Sequence, residues 1–322
     1  MARGDAKPKE AGNGGGSAEH LLALRDFSKS FGPVRALHEV DFEVDSGEIV
    51  ALVGDNGAGK STLIKAIDGV QPPDSGQAYF DGRPVSISGP RTAERLGIAT
   101  VFQDLALCDN LDVVSNLFLG REVAGSGKKR FPRIRQLFAR IHAPRFLKRI
   151  PRPGILGRIH PLTTLKGIFP KGTLNETEME ERSRELLDDL SVTTLGSVRT
   201  EVGSLSGGQR QSVAIARTMI GEPNVVLFDE PTAALGVQQT AQVLALVRRL
   251  ADDGLGVVMI SHNLEDVFQV ADRIIVLRLG ERVATFDRRQ TTPEQVVGSI
   301  TGADTAEMRR LQEESESKDK GG

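Results

Sequence analysis

The chain has one cysteine, Cys108, so no internal disulfide can form and no cysteine cluster is available for a metal. A cytosolic, reducing setting is the expectation. No apolar run approaches the roughly 20 residues needed to cross a bilayer. The opening stretch from Met1 to Ser17 is rich in glycine and charge and lacks an apolar core, so it does not read as a secretory signal. Internal repeats and sustained heptads are missing as well. Acid is absent from one interval: between Val123 and Asn175 there are thirteen Lys/Arg and no Asp or Glu, in a chain of net charge −2. The rest of the 322 residues is therefore strongly acidic. That asymmetry suggests a local anionic partner for one segment and argues against a general nucleic-acid-binding protein.

What is present alternates. From about Leu21 to Asp81, short apolar runs are separated by turn signals such as Phe31-Gly32-Pro33, Asp45-Ser46-Gly47 and Asp81-Gly82. Strands are expected at Ile98 to Phe102, Val225 to Phe228, Val257 to Ile260, Ile274 to Arg278 and Val283 to Phe286. Helices are expected at Val113 to Leu119, Glu176 to Leu190, Gln209 to Ile220 and Val237 to Leu250. Strands alternating with helices predict an α/β sheet, mostly parallel at its centre. The stretch from about 105 to 220 is expected to form a helical lobe against it. Residues 1–18 and 303–322 read as charged, disordered tails.

The segment Gly54-Asp55-Asn56-Gly57-Ala58-Gly59-Lys60-Ser61-Thr62 fits G-x-x-x-x-G-K-[ST], a phosphate-binding loop. The apolar, β-branched run Glu48 to Val53 precedes it, and Leu63, Ile64 and Ile67 follow at helical spacing. A strand, a glycine loop and a helix start make an anion cradle. Glycine lets backbone N–H groups approach phosphate oxygens, and the helix dipole favours the charge. Lys60 can reach the β- and γ-phosphates, and the Ser61 hydroxyl can ligate Mg²⁺. The glycine order does not give the dinucleotide fingerprint G-x-G-x-x-G.

Val225-Val226-Leu227-Phe228-Asp229-Glu230 reads as a central strand delivering two acids to its C-terminal edge, where ligands bind in open α/β sheets. Asp229 is suited to hold Mg²⁺ through water, and Glu230 to accept a proton from an attacking water. Alone, the pair could equally be a surface acidic pair closing a strand.

Leu205-Ser206-Gly207-Gly208-Gln209-Arg210 offers a second helix start, led by a serine and two glycines, whose N–H groups and hydroxyl are expected to point outward. A second anion site with no lysine of its own suits a two-fold dimer, in which each chain caps the other's γ-phosphate. With this motif the sequence resembles the ATP-binding-cassette family, whose signature is LSGGQ, over about residues 21–300.

The resemblance implies a P-loop NTPase (RecA-like) core with an antiparallel β subdomain and an α-helical signature subdomain, spanning about 19–302. It implies ATP and Mg²⁺ as cofactors. Phe31 matches the aromatic that stacks on adenine, although on composition alone it could be a core residue. Gln103 matches the glutamine that touches Mg²⁺ and the attacking water and links to the membrane subunit. His262, in Ser261-His262, matches the switch histidine on the γ-phosphate. Ser61, Gln103 and Asp229 are then the metal residues, and Glu230, His262 and Gln103 the catalytic ones. Residues 54–62, Ser206, Gly207, Gly208, Gln209 and Phe31 hold nucleotide. Most of the family has Asp where this chain has Gly236, which puts a cross-dimer carboxylate contact there in doubt.

Thr232 to Val237, Asn116 to Glu122 and Ser261 to Leu264 most resemble the monosaccharide importers of the ribose, xylose and fructose type. Many of those carry two cassettes in one chain; a single phosphate loop here implies a homodimer or a paired second cassette. Expected partners are polytopic permease subunits and, indirectly, a periplasmic or extracellular sugar-binding protein, with the chain peripheral on the cytoplasmic face of the membrane and no nucleic acid bound. The alternatives are a non-transport ATPase of the family acting on ribosomes or nucleic acid, or an importer ATPase for a non-sugar solute. In the basic interval, about 123–175, Phe131, Ile134, Phe138 and Ile141 share one helical face with Arg133, Arg135 and Arg140 off it. That segment is either a contact to an anionic membrane surface or a solvated insertion.

Overall fold

A computed structural model describes residues 20–123, 174–192 and 195–303 of the chain. Nearly all of the two expected tails, and the basic interval apart from Val123, Leu174 and Asn175, lie outside the described residues. The Asn175 N–H donates to the Val123 carbonyl at 2.8 Å. The chain thus leaves the described body and re-enters it at one point.

Ten strands are described: β1 (Leu22–Phe31), β2 (Val34–Val44), β3 (Ile49–Val53), β4 (Ser75–Phe80), β5 (Arg83–Val85), β6 (Ile98–Val101), β7 (Val225–Asp229), β8 (Gly256–Ile260), β9 (Arg273–Arg278) and β10 (Glu281–Asp287). They form two sheets. The first has order β2-β1-β4-β5 and is antiparallel throughout. The second has order β10-β9-β3-β8-β7-β6 and is parallel from β9 to β6, with β10 antiparallel at its edge.

Both faces of the second sheet are covered, and the side-chain alternation of a strand shows it. Ile49, Ala51 and Val53 of β3 join one core, while Val50 and Leu52 join the other. The same split holds for Val226 and Phe228 against Val225 and Leu227 in β7, and for Val257 and Met259 against Val258 and Ile260 in β8. A parallel strand buried on both faces reads as a continuous apolar run, which is why these three were visible in the sequence.

The helices divide between the two cores. Helix α1 (Lys60–Ile67) packs Leu63, Ile64, Ala66 and Ile67 on the side of the antiparallel sheet. Helices α3 (Val113–Phe118), α4 (Glu176–Asp189), α5 (Gly207–Met219) and α6 (Val237–Asp252) build the opposite side, α2 (Pro90–Arg95) being a short connection before β6. Three helices lacked a strong sequence signal, α2, α7 (Leu264–Val270) and α8 (Pro293–Thr301). The first two are only six and seven residues long, too short for a period to stand out.

The lobe made by α3 to α5 hangs on polar contacts as well as packing. Asn116 is fully buried; its Oδ1 accepts from the Cys108 N–H at 2.8 Å, and its amide donates to the carbonyls of Cys108, Leu111 and Asp112. Arg199 reaches Glu180, Asp112 and Glu176 at 2.9, 3.2 and 3.3 Å, on the surface of the same lobe. Among the described residues no helix is long and apolar enough to cross a membrane.

Asp68 ends α1 and is nearly fully buried. Its Oδ1 accepts from the Val70 N–H at 2.8 Å, and the Thr100 hydroxyl lies beside the carboxylate. Burial pushes the carboxyl from 3.8 up to about 6, against the pull of the Val70 N–H, Lys65 and the Thr100 hydroxyl and with a further push from Asp229. A group raised in the folded state binds its proton more tightly there than in the unfolded chain. It therefore opposes folding at neutral pH and does so less as pH falls through about 6 toward 4. Asp68→Asn should accordingly stabilise the protein at neutral pH by about 1–3 kcal/mol, with the gain shrinking below pH of about 6. Urea unfolding at a series of pH values checks it; a lower midpoint at neutral pH would contradict it.

Candidate functional site

The site begins where β3 ends. Gly54 has φ 150°, and a Cβ there would stand 2.1 Å from the Leu277 carbonyl oxygen, so only glycine leaves the strand this way. Gly59, at φ 102°, would press a Cβ to 2.6 Å from the Ala36 carbonyl oxygen. Between them the chain curls, with the Ala58 N–H bonded to the Asp55 carbonyl at 3.1 Å, and passes into α1 at Lys60. The Lys60 ammonium is folded back on the loop, donating to the carbonyls of Gly54 and Asp55 at 2.7 and 3.0 Å. Burial lowers its pKa, and the nearby carboxylates of Glu230, Asp55 and Asp229 oppose that. Ser61 lies exposed one residue later.

Sheet register aligns the remaining groups with this loop. Leu52 pairs with Ile260, Ile260 with Asp229, and Val101 with Phe228. Gly54, His262, Glu230 and Gln103 therefore all emerge one or two residues past the paired region, at the same C-terminal edge. Asp229 closes β7 with its pKa raised, first by burial and then by the adjacent Glu230 carboxylate. Glu230 sits in the left-handed region at φ 53°, held there by its N–H on the Ile260 carbonyl at 3.1 Å. Such a conformation costs a non-glycine residue about 1–2 kcal/mol. It turns the Glu230 carboxylate toward His262, whose Nδ1 lies 3.3 Å from Oε2. The His262 ring is 70% exposed and so is free to meet a ligand. Gly54, Asp55, Asn56, Glu230, Ser261 and His262 line an open pocket of about 520 Å³.

Phe31 is not a core residue: it is 44% exposed, near the tip of the β1–β2 hairpin. Six residues on, Leu37 and the Ala36 carbonyl touch Gly59, which brings the hairpin alongside the phosphate loop. Gln103 is exposed beyond β6.

The signature helix start differs from its sequence expectation in one respect. Its serine hydroxyl is engaged: Ser206 Oγ accepts from the Gln209 N–H at 3.4 Å, while Gln209 Oε1 accepts from the Ser206 N–H at 2.8 Å. This capping box closes the helix end from within, and the helix begins at Gly207 rather than Gln209. The hydroxyl proton remains to be donated. Gly208 has a packing role too, since a Cβ there would approach Gln239 of α6 to 2.9 Å. None of residues 206–209 lines the pocket around Glu230 and His262. One chain thus brings the loop, the two acids, Gln103 and the histidine to one sheet edge, while the serine-led helix start packs against α6.

Gly236 caps α6 with an ordinary φ of −76° and open space where a Cβ would stand. Its backbone would accept the family's usual aspartate; glycine is not required by the fold.

Sequence reasoning missed Asp266. This carboxylate, 5% exposed on α7, accepts from the Thr232 hydroxyl at 2.6 Å and from the Asn263 amide at 3.1 Å. It ties the loop after Glu230 to the loop after His262. The only sequence signal was an Asn before a short acidic turn, a helix cap with no hint of a distant partner. Asp266→Ala would leave both donors unpaired, and the expected cost is about 1–3 kcal/mol of stability. It should also lower nucleotide turnover while leaving nucleotide affinity near that of the wild type. Urea unfolding with parallel ATPase assays checks this; unchanged turnover would mean that the two loops hold their places without it.

With the geometry in place, comparison with known proteins gives a consistent result. The family described as ABC transporter matches residues 37–233. The chain is 38% identical to the fructose import ATP-binding protein of Rhizobium meliloti, over 88% of this chain and 95% of that one. It is 40% identical to the xylose/arabinose import ATP-binding protein of Sulfolobus acidocaldarius, over 87% and 94% respectively. The crystal structure of an ATP-binding cassette of an ABC transporter in its ADP conformation superposes with TM-score 0.64 at 25% identity, covering 91% of this chain and 99% of that one. The match of the family over most of the described body, together with a phosphate loop, paired acids and a histidine at one sheet edge, places this chain in the ABC transporter family, as an ATP-binding cassette.

Proposed function

We propose that the chain is the ATP-hydrolysing subunit of an importer, and that the solute is a monosaccharide moved by separate membrane subunits. The observation that carries the hydrolytic part is the Glu230 carboxylate, 3.3 Å from His262 at the mouth of the phosphate loop. The names of the two import relatives support the solute class.

On this reading the triphosphate displaces the Gly54 and Asp55 carbonyls from Lys60, which then bonds phosphate oxygens. The loop N–H groups and the α1 start take the remaining charge. Glu230 accepts the proton of the attacking water, and His262 holds the γ-phosphate. Residues Ser61, Asp229 and Gln103 suit Mg²⁺. The Asp229 carboxyl is pushed up by burial and by Glu230, and a divalent cation would relieve that. When bound, the ion neutralises charge that develops on the phosphate oxygens.

The α5 start carries no lysine of its own, which suits a dimer. In it the Ser206 hydroxyl and the Gly207 and Gly208 N–H groups would cap another chain's nucleotide. We place the membrane-subunit contact at the groove of about 560 Å³ beside Phe102, walled in part by Leu117, Leu119 and Arg217. Gln103 follows Phe102 directly, at the sheet edge that carries the phosphate loop. On this reading the chain works at the cytoplasmic face of the membrane.

Reconstitution with its membrane subunits, assayed against a panel of pentoses and hexoses, tests the solute class; ATP-dependent uptake of none of them would overturn it. Glu230→Gln should bind ATP, dimerise in it and hydrolyse it about 10²–10⁴ times more slowly. Turnover at the wild-type rate would show that Glu230 is not the base. Ser206→Ala should lower turnover of the dimer roughly ten-fold while the monomer's ATP affinity holds. Loss of affinity in the isolated monomer would contradict the shared site.

A further inference from the structure

Phe31 is offered to a ligand by two residues that the phosphate chemistry does not use. Lys29 lies two residues before Phe31 on β1, across an irregularity in the β1–β2 pairing. The Lys29 ammonium stands over the Phe31 ring, 5.7 Å from its centroid. For a lysine its side chain is unusually covered, at 17% exposure. Asp74 accounts for that. Its Oδ1 accepts from the Lys29 ammonium at 2.8 Å and its Oδ2 from the Ser30 N–H at 2.7 Å, while the Asp74 N–H donates to the Ser28 carbonyl at 2.8 Å. One residue therefore grips three consecutive residues of β1, just before the ring. The Lys29 hydrogen bond, then that of the Ser30 N–H, hold the Asp74 carboxyl below its ordinary range.

We propose that Lys29 and Asp74 are positioning residues for the nucleotide base. Asp74 anchors the Lys29 ammonium, the ammonium covers one face of Phe31, and the other face is held open for a planar, electron-rich base. A cation above one face draws electron density from the ring, which favours an electron-rich partner on the opposite face. The pair replaces side-chain freedom at an exposed aromatic with a fixed platform, so less ordering remains to be done on binding. This inference rests on the reading of the chain as an ATP-binding cassette with Phe31 as its base contact.

The test separates base from phosphate. Calorimetry on the full chain with Mg²⁺ would compare ATP with inorganic tripolyphosphate, which has no base. Lys29→Met and Asp74→Asn should each weaken ATP by about two- to five-fold, with tripolyphosphate unchanged. Lys29→Arg should keep wild-type affinity, because the guanidinium also covers the ring. The loss should appear in the KM for ATP rather than in kcat. Phe31→Ala should weaken ATP at least as much, and adding Lys29→Met to it should cost nothing further, since the ring through which Lys29 acts is gone. If Phe31→Ala binds ATP as the wild type does, the base-contact reading itself fails. If Phe31→Ala loses affinity but Lys29→Met does not, the positioning pair is overturned. Equal losses for ATP and tripolyphosphate in Lys29→Met would also overturn it, because Lys29 would then touch phosphate.

Discussion

The close approach of the chain to itself at Gly54 and Gly59 is the constraint on which the rest of the site depends. A strand buried on both faces has to end against its neighbours, and here it ends against the Leu277 carbonyl with no room for a side chain. The second glycine meets the Ala36 carbonyl in the same manner, so the antiparallel sheet presses on the loop from the other side. The two contacts fix the loop between both sheets before any ligand arrives. Backbone N–H groups held in such a turn need little reorganisation to meet an anion, which is what makes a cradle rather than a flexible glycine stretch.

The charges around that loop suit an anion and a cation bound together. Lys60 is partly desolvated and rests on carbonyls, with three carboxylates near it. Asp229 and Glu230 follow one another, and the burial of Asp229 adds to their mutual repulsion. A triphosphate with a divalent ion would satisfy each of these groups at once: phosphate oxygens for Lys60, the cation for Asp229. Glu230 acts on both Lys60 and Asp229, and its left-handed backbone turns its carboxylate toward an exposed histidine. The different directions taken by the two adjacent acids are thus set by backbone conformation and not by composition.

The helical side contributes at a distance. The capping box at Ser206 and the tight approach of Gly208 to Gln239 fix the direction of α5 against α6. Asp266 links the loops after β7 and β8, so a shift in one is passed to the other. Gly236 lies on the first of those loops, where its lack of a side chain leaves open space.

The phosphate loop, the acidic strand end and the signature helix were legible in the sequence because each is a local pattern: glycines at fixed spacing, four apolar residues before two acids, a serine cap before two glycines. The parallel core was legible for a related reason, since a strand buried on both faces must be apolar throughout. What the sequence could not decide was anything that depends on distant residues meeting. Asp266 is an ordinary acid in a short helix until Thr232 is brought to it from 34 residues away. Phe31 has the composition of a core residue, and only the hairpin's position shows it half exposed. Serine and two glycines announce a helix start, but only the packed chain shows its serine engaged in a capping box and its second glycine pressed on α6. Local chemistry follows from neighbouring residues along the chain; which groups share a site follows from sheet register and the order of strands, and those are settled by burial of the whole core.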